Sequence, residues 1–141
     1  NQKLEHLNLN ENEIINIPDL LFENLSMIKT IKMNNGILSS PTIVFGEHPV
    51  IETIDLSRCN INTLRTDSFN RTTNLKVLKL KIVGYFPFSN ITLLNNLTTL
   101  ELFVESEMEY DFNECIDVHF LVLKQDLINL KLVFKKMRMT S

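Results

Sequence analysis

The sequence predicts a solenoid of the α/β kind: a curved array of about six strand-and-return units sharing one parallel concave sheet, with a short or irregular convex side. Three observations carry that prediction. An apolar triplet recurs five times: Leu4, Leu7, Leu9; Ile28, Ile31, Met33; Ile51, Ile54, Leu56; Leu75, Leu78, Leu80; and Leu97, Leu100, Leu102. The triplets start 24, 23, 24 and 22 residues apart, a period at which each unit is one strand plus a return segment. Within each triplet the last two members are two residues apart, so strand alternation puts both on one face and the residue between them on the other. In a chain that is 44% hydrophobic one such triplet arises by chance about one time in twelve, and five in phase do not.

The first unit has the fullest pattern, Leu4, Leu7, Leu9, Asn12, Ile14, Ile17, Pro18, Phe22 and Leu25, and the third follows with Ile51, Ile54, Leu56, Cys59, Ile61, Leu64 and Phe69. Written as L-x-x-L-x-L-x-x-N-x-L, then proline or leucine, then F-x-x-L, this resembles the leucine-rich repeat of about 24 residues found in extracellular receptors. The resemblance is close over residues 1–104 and looser beyond. It implies that Asn12 and Cys59 bond backbone groups in the turn leaving the strand. Gly36, Val83, Glu105 and Lys135 stand where that ladder residue belongs, so the ladder is expected to break there and give way to other packing.

Elementary geometry leads the same way. About 15 residues between triplets suffice for the crossover that parallel strands need. Phe22 with Leu25, Phe45 with Val50, and Phe69 are expected to fill the layer beneath the outer wall, and Pro18 and Pro41 fall just past the strands, where no ladder donor is required. One domain is expected over residues 1–141, regular through 104 and irregular over 105–141. Relatives of the extracellular class carry cysteine-clustered caps at both ends. This chain has two cysteines and enters its first triplet at Leu4, so it is expected to be a fragment of a longer array or an atypical member. Cys59 and Cys115 would lie roughly 10 Å or more apart in the stack, too far to bridge unless the later segment folds back.

Sequons begin at Asn24, Asn70, Asn90 and Asn96. Chance supplies about two in so asparagine-rich a chain. Placement argues more strongly, because Asn24, Asn70 and Asn96 sit late in their units, where a glycan would meet solvent. An extracellular or cell-surface setting is therefore expected, with these four as glycosylation sites. No apolar run is long enough to span a membrane, so no membrane contact is expected within these residues.

Function is expected on the concave sheet. The column between the second and third triplet members reads Asn8, Lys32, Asp55, Lys79, Glu101, with alternating signs at a spacing of about 4.8 Å. Such a column is either a self-neutralising ladder or a polar surface that reads a ligand. Further along, Val77, Ile82, Phe103 and Val104 are assigned outward places that hold polar residues in earlier units. They form an apolar patch, which Val133 and Phe134 extend if a last strand forms at Leu127, Leu130 and Leu132. Either a partner covers this patch or the segment 105–126 folds over it.

That segment breaks the rhythm. Leu97 to Leu127 is 30 residues, and Val118, Leu121 and Leu123 offer a competing register. A helical return with Phe112, Cys115, Val118 and Leu121 or Val122 inward is preferred. Its carboxylates (Glu105, Glu107, Glu109, Asp111, Glu114, Asp117) lack the glycine turn and ligand spacing of a calcium loop, which leaves a solvated acidic edge. Lys124, Lys131, Lys135, Lys136 and Arg138 make the end basic, but a net charge of −3 argues against a nucleic-acid binder.

No catalytic constellation is visible. His6, His48 and His119 are isolated, and Cys115 with His119 supplies two ligands, too few for zinc. No enzyme, metal or cofactor is expected. Similarity to Toll-like receptor ectodomains and secreted immune repeat proteins implies an extracellular recognition module that binds a protein ligand or co-receptor, in innate immunity or cell-surface signalling. The alternatives are an intracellular adaptor of the same fold and a structural module that pairs with itself, or with a second chain, through the apolar patch.

Overall fold

A computed structural model of the chain describes residues 3–12, 22, 25–38, 45, 48–64, 67–85, 94–106 and 129–136. Six strands, β1 (His6–Asn8), β2 (Thr30–Leu38), β3 (Thr53–Thr63), β4 (Val77–Tyr85), β5 (Thr99–Ser106) and β6 (Asn129–Lys136), form one sheet in chain order. Every neighbouring pair is parallel. Among the described residues there is no helix.

The triplets set the register. Leu7, Ile31, Ile54, Leu78, Leu100 and Leu130 face one another across successive strands, and Leu56, Leu80, Leu102 and Leu132 form the next row. β6 thus joins the sheet directly beside β5; the competing register at Val118, Leu121 and Leu123 falls outside the described residues. Leu127 and the helical return expected over 112–122 fall outside the described residues. The triplets of the middle four units are fully buried, Leu4, Leu7 and Leu9 beside β1 are half-buried, and Leu130 on β6 is 45% exposed. Burying one such leucine or isoleucine stabilises the fold by about 1.5–3 kcal/mol.

Backbone hydrogen bonds hold each strand entry at the same height. The Glu5 carbonyl accepts from Lys29 N and Thr30 N, Lys29 O from Glu52 N and Thr53 N, Glu52 O from Lys76 N and Val77 N, and Lys76 O from Thr98 N and Thr99 N. Beyond the triplets the strands differ in length. Between Leu56 and Asn60 β3 advances four residues while β4 advances one, from Leu80 to Lys81. The surplus on β3 is the turn that carries Cys59, whose buried thiol donates to the Met33 carbonyl at 3.2 Å, the role expected of the ladder residue. Asn12, although exposed, likewise bonds a backbone group in the turn leaving β1: its amide donates to the Asn10 carbonyl at 3.1 Å.

β4 and β5 lack this turn and run straight on. Period two therefore continues through Leu78, Leu80 and Ile82, and through Leu100, Leu102 and Val104. Ile82, opposite Ile61, is fully buried and Val104, opposite Ile82, is 1% exposed. Their expected place on the open face is corrected: both belong to the core and replace the interrupted ladder. β4 regains phase at a bulge, where Val83 and Gly84 oppose Asn62 between the pairs Ile61–Ile82 and Thr63–Tyr85.

Under the sheet Phe22, Phe45 and Phe69 stack with ring centroids 5.8 and 5.2 Å apart. Three residues after each phenylalanine comes the residue whose carbonyl caps entry to the next unit: Leu25, His48 and Thr72, accepting from Ile28 N, Ile51 N and Leu75 N, with Leu94 accepting from Leu97 N in the following unit. Val50, expected beside Phe45, is half-buried, and His48 takes the core place instead. Thr72 is satisfied because its hydroxyl bonds the Phe69 carbonyl at 2.9 Å. His48 is fully buried, and among the described residues neither ring nitrogen has a partner in full hydrogen-bond geometry, the Phe22 backbone approaching without meeting it. Burial lowers its pKa, an effect that the Phe22 backbone opposes only in part.

Two outcomes follow. A Cβ at Gly84, whose φ is 142°, would lie 2.6 Å from the Asn62 carbonyl oxygen, so Gly84→Ala is expected to cost about 1–3 kcal/mol in urea unfolding; an unchanged midpoint would contradict the bulge. A histidine whose folded pKa is depressed stabilises the fold above its unfolded value and loses that contribution as pH falls through the folded value. The melting temperature should therefore drop on acidification below about pH 6.5. His48→Leu should flatten that dependence and raise stability at neutral pH by about 1–2 kcal/mol.

Candidate functional site

The face of the sheet opposite the core carries three columns of half-buried or exposed side chains. His6, Thr30, Thr53, Val77, Thr99 and Asn129 form the first, in register. The second is Asn8, Lys32, Asp55, Lys79 and Glu101, as expected from the sequence, and Lys131 extends it. Of the neighbours in that column, Lys79 and Glu101 close an ion pair at 3.0 Å. The hydrogen bond from Lys79 to the Glu101 carboxylate raises the lysine pKa above its usual value, with partial burial opposing and the more distant Asp55 assisting.

Asp55 is engaged along its own strand, accepting from Ser57 Oγ at 2.7 Å and Ser57 N at 3.2 Å. Asn8 does the same for Asn10 N at 3.0 Å. Residues two apart on one strand face the same way, so a short acceptor can turn to the backbone beyond it. Lys32, opposite Asp55, consequently makes no ion pair among the described residues.

The apolar patch is smaller than expected. Val77, Phe103 and Val133 remain half-buried on this face, Ile82 and Val104 having gone to the core. In the third column Lys81 stands opposite Phe103, and Phe103 opposite Val133. The Lys81 ammonium lies 5.7 Å from the Phe103 ring centroid, within the range of a cation–π contact. A hollow of about 270 Å3 opens here, lined by Ser57, Lys81, Glu101, Phe103, Lys131 and Val133 among others. Next to it, sharing Glu101 and Lys131, lies a more open hollow of about 580 Å3 that includes Val77, Lys79, Thr99 and Leu130.

Lys81 and the hollow were not singled out from the sequence, because the template counts residues after Leu80 as though the Cys59 turn were present. A second charge column was also missed: Glu5, Lys29, Glu52 and Lys76 each follow the first triplet member directly. Lys29 pairs with Glu5 at 2.8 Å and Lys76 with Glu52 at 3.2 Å. The first pair lowers the Glu5 pKa and raises that of Lys29, by hydrogen bond first and charge second. Triplet position plus one was the available signal.

Of the sequon residues, Asn70 and Asn96 are exposed in the turns that lead out of the return segments, and the Asn96 amide donates to the Thr73 carbonyl at 2.9 Å. The Asn74 amide makes the equivalent bond to the Pro49 carbonyl one unit earlier. Asn24, Asn90, Cys115 and His119 lie outside the described residues, as does the segment expected to cover the patch. The Cys59 thiol is buried and donates to the Met33 carbonyl. Among the described residues no three metal-ligating side chains converge, and no helix is long and apolar enough to cross a membrane.

Ion pairs this exposed contribute little, and the least exposed should contribute most. Side chains in the Lys79–Glu101 pair are 29% and 35% exposed against 53% and 49% for Lys76–Glu52. A double-mutant cycle of Lys79→Met and Glu101→Gln is expected to give a coupling of about 0.5–1 kcal/mol, and the Lys76–Glu52 cycle less, both shrinking with salt. The Lys79 contribution is fully present below the usual lysine pKa and is lost as pH rises through the raised value. Equal couplings in the two cycles would contradict this ordering.

Compared with models of protein families, with curated proteins and with solved structures, the chain matches none.

Proposed function

We propose that the chain is a recognition module: a short array of leucine-rich repeats of the extracellular class whose open sheet face is concave and binds another protein. The observation that carries this reading is the set of in-register columns on that face. Parallel strands repeat their side chains at about 4.8 Å, so a partner meets a regular grid of charged, hydroxyl and apolar groups rather than a single pocket. Six strands of this grid lie side by side, and exposed ion pairs hold it at little energetic advantage. Groups that contribute little to folding are free to be selected for binding. The twenty-odd-residue period of buried triplets supports the repeat assignment, and the exposed positions of Asn70 and Asn96 support glycosylation and hence a secreted or surface setting.

Two measurements test the reading. In the first, the chain is expressed in secretory cells and treated with a glycosidase: a fall in mass is expected, reduced by Asn70→Gln together with Asn96→Gln and abolished when Asn24→Gln and Asn90→Gln are added, and an unmodified product favours the intracellular adaptor. In the second, a panel of purified secreted and receptor ectodomains is screened against the wild-type chain and against Lys79→Glu and Phe103→Asp variants. At least one partner should weaken about tenfold or more with the face variants; partners indifferent to both would remove the face as the binding surface. Size measured across concentration separates self-association, which Phe103→Asp should abolish if it exists.

A further inference from the structure

The distribution of charge on the open face is uneven. Where β4, β5 and β6 meet, the two adjoining hollows are lined by three ammonium groups, Lys79, Lys81 and Lys131, and one carboxylate, Glu101. That carboxylate is already held by Lys79 at 3.0 Å. Lys81 has Asn60 and Phe103 as its cross-strand neighbours, neither of them an anion. Lys131 faces Glu101 across the strands without pairing to it. Among the described residues two cations therefore remain without an ion pair, on a chain whose overall charge is −3. Between them, half-buried Phe103 and Val133 supply an apolar floor.

We infer that this junction is a peptide subsite, and that its occupant is an extended, acidic segment of a protein partner carrying a leucine, isoleucine or phenylalanine within two residues of an aspartate or glutamate. This rests on the recognition reading above and names the partner chemistry of that same face. The apolar side chain occupies the hollow over Phe103 and Val133, where about 270 Å3 accommodates roughly one large side chain with part of its backbone. Its acidic neighbour lies between the Lys81 and Lys131 ammonium groups. The chain then continues into the more open hollow past Lys79 and Thr99. Apolar burial supplies most of the affinity, and the lysines supply selectivity and a salt-dependent association rate. A basic segment is rejected because it would place a third set of cations beside Lys81 and Lys131.

The test is selection of a random short-peptide library on the immobilised wild-type chain, with counter-selection on Lys81→Glu combined with Lys131→Glu. Enriched peptides are expected to combine acidic and large apolar residues at adjacent or alternate positions. Measured by fluorescence anisotropy, the leading peptide should weaken roughly tenfold with each charge reversal, at least several-fold with Phe103→Ser, and several-fold as salt rises. Lys32→Glu, on β2, should leave it unchanged. Lys81→Gln guards against misfolding of the reversal variant, and each variant's melting temperature is checked alongside. Enrichment of basic or uncharged peptides, or binding indifferent to Lys81 and Lys131, overturns the subsite. If the peptides instead depend on Lys32 or Asp55, the face remains a recognition surface and only this location is wrong. Tighter binding of single-stranded DNA, lost with the same variants, also overturns the assignment.

Discussion

One backbone arrangement governs the rest of the structure: the carbonyl at the start of each of the first four units accepts two successive N–H groups from the next. Glu5, Lys29, Glu52 and Lys76 all accept such a pair of hydrogen bonds. It fixes the height at which every strand enters, and with side-chain alternation of period two it decides which residue meets which across the sheet. A slip of one residue would send Ile54 outward and Asp55 into the core. The penalty for burying an unpaired carboxylate makes such a slip prohibitive. Core rows and surface columns are thus two consequences of one alignment.

That alignment was legible wherever the unit length was regular. Five triplets located the strands, and the Asn8-to-Glu101 column followed from counting between the second and third members. Reading failed where the number of residues between fixed points changed while the apolar pattern did not. Unit three spends three extra residues on the Cys59 turn, and units four and five spend none. A template that assumes the turn places Ile82 and Val104 outside; the chain, free to remain extended, sets Ile82 opposite Ile61 and Val104 opposite Ile82 and buries both. The shorter spacing of 22 residues after Leu75 was the one trace of this in the sequence. Lys81 was overlooked for the same reason.

On the other side of the core, Phe22, Phe45 and Phe69 form a stacked aromatic column beneath the sheet. Ring stacking at 5.8 and 5.2 Å is close to the strand repeat, so the aromatic column keeps step with the sheet above it. The position three residues later is less uniform. Leucine at 25 and 94 needs no partner, threonine at 72 brings its own hydroxyl back to Phe69, and histidine at 48 is buried without either solution. Sequence alone shows a histidine in an F-x-x-L slot, but whether the ring reaches solvent depends on packing against units on both sides.

Stability draws on the core face and the proposed recognition on the other, and this separation lets the open face vary. Residues such as Leu100 and Ile54 are constrained by neighbours above and below, so a change there is felt along the row. Lys79 and Glu101 neutralise each other at the surface, where solvent weakens what they contribute. Adding Lys81, Phe103, Lys131 and Val133 beside that pair costs the fold little, yet it converts a balanced ladder into a local excess of positive charge around apolar surface. On a chain that is negative overall, the proposed site would attract an acidic segment only at short range, because beyond roughly 8–10 Å salt screens Lys81 and Lys131. Selectivity then depends on close apolar fit over Phe103 as much as on charge, and neither alone is sufficient for a specific partner.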